Sequence, residues 1–421
     1  MKAIRRSRPV VLVAAIAVFL SACHDTPPAP EPNDFGYPGP SFAGAVEAPS
    51  GEKPESKLWW NDGFWWSTMF DTQSGDYHIF RLQLSNQRWV DTGTALDPRP
   101  DTKADALWDG SHLYVASHVF TENSSQAGSQ AQLRRYSYDA GADRYTLDTG
   151  FPQVINNVSS ETLVIDKDST GRLWATWVGG GRVNVTHTTS GDRNWRAPFV
   201  LPPATSTVSS DDISSVIAFK GDRIGIMWSD QSSDDTMFVA EHHDLFPTDS
   251  ANGWSARQVA YGGPGSNNAD DHINLQSLHD VGGRIFAAIK TSSDPLVLLL
   301  ARDPSTARWS SHVYGRDSDG HTRPIIVIDA QRRVLHMFAT ATSAGGTVYR
   351  KTTSIDNISF PSGRGDPVIR DADGRVNNPA STKQVVNSVT GLVVIATNDG
   401  QQRYWHHHDP LSGAASTSPS A

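Results

Sequence analysis

Apolar and polar residues alternate in short runs along most of this chain, and the runs recur. The clearest is an apolar segment written seven times: FWWSTMF from Phe64, HLYVASHVF from His112, RLWATWV from Arg172, RIGIMWSD from Arg223, RIFAAIKT from Arg284, VLHMFAT from Val334 and GLVVIATND from Gly391. The copies come about every 50 residues, within the period range of propeller repeats. A polar-headed strand precedes each copy: SKLWW from Ser56, DTKADALW from Asp101, SSETLVID from Ser159, DDISSVIAF from Asp211, DHINLQSL from Asp271, HTRPIIVID from His321 and STKQVVNS from Ser381. A third strand follows, as in HIFRLQL from His78 and LVLLLAR from Leu296, and often a fourth that opens on an aromatic, as in RWVDT from Arg88. Four short strands per unit with Gly, Asn and Asp turns between them predict an all-β, seven-bladed β-propeller.

The seventh unit has no room for a fourth strand after Arg403 to His408, and FAGAVEA, residues 42–48, has no partner in its own unit. The expectation is that 42–48 completes the last blade, so that the ring closes on an N-terminal strand and leaves no open sheet edge. One propeller would then span 41–411, with 412–421 a disordered tail.

The first residues read as an export signal. Arg5, Arg6 and Arg8 precede the apolar run PVVLVAAIAVFL, and Leu20-Ser21-Ala22-Cys23 follows, so 1–22 is expected to be a signal peptide. The four-residue end resembles the bacterial lipobox, which implies acylation of Cys23. The same resemblance, with His24 rather than Asp after the cysteine, implies the outer membrane if the source is Gram-negative. Residues 23–40 are Pro-rich and read as an extended tether. No later run is apolar and long enough to span a bilayer, so membrane contact is expected through the lipid alone.

Composition narrows the partners. Net charge is −9, and it becomes −13 once Lys2, Arg5, Arg6 and Arg8 leave with the signal; such a surface disfavours nucleic acid. Cys23 is the only cysteine, which excludes an intramolecular disulfide. Of the 13 tryptophans, Trp60, Trp65, Trp108, Trp174 and Trp228 fall in repeated strands and are expected to pack between blades. A monomer is expected.

In a propeller the starts of the innermost strands and the ends of the second strands converge on one mouth. Here the strand starts carry Lys57, Lys103, Asp105, Glu161, Asp211, Asp212, Asp271 and Lys383, and the second-strand ends Asp71, His118, Trp177, Asp230, Lys290 and Asn398, a set of largely polar groups that marks a candidate site. Cations gathered in an otherwise acidic protein suit an anionic ligand; the same cations could instead pair with the neighbouring carboxylates. His272 and His321 head adjacent innermost strands, with Asn274 and Arg323 two residues on and therefore on the same faces. A histidine base beside a group that neutralises a uronate is what β-elimination requires. His272 and His321 are thus the expected catalytic pair, and Lys103, Glu161, Asp271, Asn274, Arg323 and Lys383 the expected contacts to an acidic polysaccharide, cleaved by elimination or hydrolysis. A non-catalytic scaffold that binds glycan or protein is the other reading.

From 42 to 411 the blade pattern resembles the sialidase-like or BNR-type β-propellers, a group that includes sialidases, polysaccharide lyases and glycosidases. The resemblance implies the fold and a carbohydrate substrate. TSGDRNW from Thr189 follows the Asp-box only loosely, and SKLWW has no arginine where sialidases place one, so sialidase chemistry is not implied. The turns DKDSTG from Asp166 and DADG from Asp371 echo calcium loops without the distal Glu. His406, His407 and His408 read as strand residues. No metal or cofactor is expected.

Overall fold

The computed structural model describes residues 34–51, 53–122, 125–278, 283–342 and 344–412. Its strands form seven antiparallel sheets arranged as the blades of a propeller. Blade 1 runs Leu58–Asn61, Phe64–Asp71, Asp76–Gln83 and Arg88–Asp97, from the axis outward. The first two strands of blades 2 to 6 are Thr102–Trp108 with His112–Val119, Val164–Lys167 with Leu173–Gly179, Ser214–Phe219 with Arg223–Asp230, Ile273–Leu278 with Arg284–Lys290, and His321–Asp329 with Val334–Ala341. In blade 2 the long third strand, Ala127–Asp139, carries two outer partners, Arg144–Leu147 and Gln153–Val158.

All seven second strands fall on the seven repeated segments, and burial explains why they were legible. A blade is covered on both faces by its neighbours, so a strand such as Val297–Arg302 is buried at every position, and such strands read as continuous apolar runs rather than alternating ones. Each fully buried aliphatic side chain contributes about 1.5–3 kcal/mol. Trp59, Trp65, Trp66, Trp174 and Trp228 are sealed between blades, whereas Trp60 and Trp108, expected to be core, are only half-buried.

Two strand assignments need correction, both in blade 7. Its outermost strand is not 42–48 but Tyr37–Ser41, which pairs with Arg403–Asp409, Tyr37 opposite His406 and Ser41 opposite Arg403. YPGPS reads as tether because it holds two prolines, yet an edge strand tolerates proline. Gly39 allows the approach, since a Cβ there would lie 3.1 Å from that of Tyr404. Phe42 instead turns inward, 2% exposed, against the Tyr404 ring. The innermost strand of blade 7 is Val376–Ala380 rather than the stretch from Ser381. Its pairing with Leu392–Asn398 breaks between Asn377 and Ala380, where Asn378 takes φ +56° before Pro379. The chain beyond Ser381 is thereby released toward the axis. Cys23 and residues 413–421 lie outside the described residues.

Candidate functional site

The axis is not an open channel. Residues 49–51 and 53–56 lie in it, between the closing strand of blade 7 and the start of blade 1, and their polar groups reach most of the ring. Ser50 Oγ donates to Asn378 O at 2.7 Å. Lys53 meets Glu161 of blade 3 at 2.5 Å and also Asp271 of blade 5. Glu55 holds Lys57 and His118 at 2.7 Å each and accepts from Leu163 N at 3.0 Å. Ser56 N donates to Asp105, whose other oxygen lies 2.5 Å from Lys383. Burial pushes the Asp105 carboxyl up and Lys383 works against it. Neither Lys53 nor Glu55 stood among the expected site residues. The signal that could have found them is KPES, residues 53–56: charged and wedged between two strand predictions with no turn of its own.

This plug uses much of the expected cation set. Lys57 and Lys383 are held as above, and Lys290 is bound by Asp270. The Lys103 ammonium, buried, lies 3.5 Å from the centre of the Phe120 ring. Asn274 is spent on backbone, donating to Lys53 O at 3.1 Å and accepting from Ile326 N at 3.0 Å. Arg323 differs. It makes no ion pair among the described residues, its Nε is buried without a partner, and its backbone sits at φ +51°, a region that non-glycine residues rarely occupy.

The two histidines are not brought together. His321 packs between Tyr314 and Tyr349, against Gly315, with Nε2 on Arg364 O at 3.1 Å. All of these belong to the outer parts of blades 5 and 6, so His321 does not face the mouth. Burial, then Lys351, lowers its pKa to about 4. The expectation that Arg323 shares a face with His321 fails for a physical reason: pairing shifts between Thr322 and Ile325, and the left-handed Arg323 breaks the alternation.

His272 does stand at the mouth, 5% exposed. Its Nδ1 lies 2.5 Å from Asp270 and 2.6 Å from Asp271, and Nε2 lies 3.2 Å from Thr322 Oγ1. Burial opposes its charge, but Asp271 and Asp270 outweigh it and raise the pKa. The order carboxylate, imidazole, hydroxyl has the form of a nucleophilic relay, yet Thr322 is 2% exposed and closed to a polymer.

Open chemistry remains on the carboxylates. Glu161, Asp211 and Asp271 bring ligand oxygens within 4.8 Å of one another. Burial and then the charge of Asp271 raise the Asp211 carboxyl. Burial also works to raise Asp271, but His272 and Lys53 hold it well below the usual range. Two neighbouring carboxyls pushed in opposite directions can divide acid and base roles. Beside them a cavity of about 250 Å³ is lined by Thr121, Ser125, Glu161, Gly179, Gly180, Gly181 and Ser210. At the opposite mouth a well of about 660 Å³ lies between Pro54 of the plug, Trp108, Lys167, Gln276, Lys383 and Gln384.

No protein-family model and no curated protein sequence matches this chain. Solved structures do. An ulvan lyase of polysaccharide lyase family PL25, bound to -[GlcA(1-4)Rha3S]-, superposes with a TM-score of 0.57 over 91% of this chain and 97% of its own, at 9% identity. Polysaccharide lyase Uly1 covers 85% of this chain and 90% of its own, with a TM-score of 0.47 and 9% identity. At this identity the likeness shows the propeller fold; a sialidase or BNR-type relationship does not emerge from it.

Proposed function

We propose that this propeller acts on an acidic, uronic-acid-containing polysaccharide at the mouth where Glu161, Asp211 and Asp271 meet, by β-elimination. The observation that carries the reading is the opposed shift of Asp211 and Asp271 beside an accessible cavity. In the elimination the base takes the C5 proton of a uronate, the C4–O bond breaks, and an acid protonates the leaving oxygen. Asp211, held protonated more readily than an ordinary carboxyl, is the acid, and Asp271, held ionised by His272 and Lys53, is the base. Arg323, whose Nε is buried without a partner and which makes no ion pair among the described residues, neutralises the sugar carboxylate. His272 keeps Asp271 ionised and in place; it is a positioning residue. The glucuronate in the ligand of the superposed ulvan lyase is consistent with this substrate class.

Lipidation of Cys23 and anchorage to the outer membrane complete the proposal, resting on Leu20-Ser21-Ala22-Cys23 alone. A glycan-binding scaffold is the second reading, favoured by the internal pairing of Lys53, Lys57, Lys290 and Lys383.

The decisive experiment incubates the purified domain with glucuronate-, galacturonate- and mannuronate-containing polymers and follows near-ultraviolet absorbance and reducing ends. Unsaturated ends establish elimination. Reducing ends without absorbance establish hydrolysis. Binding without either product establishes the scaffold, and no binding at all removes the acidic-glycan reading.

A further inference from the structure

Away from the axis, the hairpin joining the second and third strands of blade 1 sets Asp71 directly opposite Asp76, where like charges repel. His78, two residues past Asp76 and so on the same face, is 9% exposed. Its Nε2 lies 3.1 Å from Asp76 Oδ1, yet that oxygen is sealed from solvent and has no hydrogen-bond partner. The two atoms are close without the alignment of donor and acceptor, as two ligands of one ion would be. One ligand atom from each of Asp71, Asp76 and His78 lies within 4.8 Å of the others. Asp71 Oδ2 accepts from Ser74 N at 2.8 Å and Ser74 Oγ at 2.7 Å, and the same hydroxyl lies 3.3 Å from His78 Nε2, so Ser74 bridges two of the three groups.

The far side of the imidazole is also fixed. His78 Nδ1 lies 3.0 Å from each Asp91 oxygen, the placement of an outer carboxylate that orients a metal-bound histidine. No lysine or arginine pairs with Asp71, Asp76 or Asp91 among the described residues. This separates the cluster from the two carboxylate groups at the axis, where Lys53 and Lys290 meet the charge. Asp71 and Asp91 also line a cavity of about 240 Å³ together with Arg88 and Trp89.

We propose that Asp71, Asp76 and His78 form a divalent-metal site, oriented by Asp91 and with its remaining position open toward the Arg88 and Trp89 cavity. One imidazole with two carboxylates suits Zn²⁺ or Mn²⁺; Ca²⁺ takes six to eight oxygens, more than the cluster supplies. The proposal is independent of the activity proposed at the axis.

The test uses the full chain stripped with a chelator and titrated separately with Zn²⁺, Mn²⁺ and Ca²⁺, read by calorimetry and thermal melting. The expected result is one Zn²⁺ or Mn²⁺ per chain and a raised melting temperature. Asp76→Asn removes a ligand and a like-charge repulsion together, so the metal-free variant should melt no lower than the metal-free parent while losing the metal-induced rise. His78→Ala should lose it too, and Asp91→Asn should weaken binding by about 10- to 100-fold. The proposal is overturned if neither Zn²⁺ nor Mn²⁺ binds the parent, or if the metal-induced rise survives in Asp76→Asn.

Discussion

The carboxylate of Glu55 and the imidazole of His118 meet at 2.7 Å where neither side chain has any exposure to solvent. The pair joins the axial plug to blade 2, and Lys57 and Leu163 N take up the rest of the carboxylate. Burial alone would raise the Glu55 pKa, but Lys57 and His118 outweigh it and bring it to about 2.

Glu55→Ala should therefore strip Lys57 and His118 of their counter-charge inside the ring and lower stability by about 3–5 kcal/mol in urea titrations. The pH sign follows from the lowered pKa: Glu55 contributes fully above its ordinary value of 4.5 and loses that contribution as pH falls toward 2. A Glu55→Ala protein with parental stability would mean that the plug does not hold the ring.

Arg323→Met should weaken binding of acidic oligosaccharides by about 1.5–3 kcal/mol, the range of hydrogen bonds to charged groups, and leave neutral ones unaffected. Calorimetry with a uronate oligomer and its carboxyl-reduced counterpart makes the comparison. An equal loss for both ligands would remove Arg323 from the role of carboxylate reader.

Asp211→Asn keeps the shape of the mouth and abolishes its proton. Under the elimination reading, product formation should fall by at least tenfold while oligosaccharide affinity changes little, as expected when a proton donor of the transition state is lost. Unchanged turnover would reassign the acid.

Acid should weaken the fold through its buried histidines. Burial, aided by Lys351 for His321 and by Arg350 for His336, lowers both pKa values from 6.5 to about 4. Both are neutral when folded and gain a proton on unfolding below pH 6.5. Stability should thus decline between pH 6.5 and 4, by at most about 3 kcal/mol for each histidine. His336→Gln should flatten that slope whatever it does to stability at pH 8; an unchanged slope would show that His336 is not buried neutral.

Cys23→Ala should abolish incorporation of a palmitate analogue and release the protein from the membrane fraction. Equal labelling of parent and variant would end the lipoprotein assignment.

The number of blades was legible because each second strand is buried on both faces and so appears as an uninterrupted apolar run, Arg284–Lys290 as clearly as Phe64–Asp71. Blade 7 was harder. Tyr37–Ser41 pairs 362 or more residues away in sequence, through a Pro-Gly-Pro strand that carries no β signal of its own. The mouth was legible as a position and illegible as a network: Glu161, Asp271 and His272 do converge, but strand alternation could not foresee the turn at Arg323 that sends His321 outward. Nor does any local pattern reveal that Lys53 would answer the charges of blades 3 and 5.

Lys53 and Asp271 are 218 residues apart, and the segment that carries Lys53 is made before any blade. During synthesis it must wait, unsatisfied, until blade 5 has appeared, and the ring around it is finished only when Arg403–Asp409 receives Tyr37–Ser41. Hub and final clasp both belong to the first 56 residues of the chain, so assembly of this wheel is held open at its beginning until its end arrives. Blades made early would sit as stacked, unclosed sheets, and a shortened N terminus would arrest the molecule at that stage rather than merely loosen it.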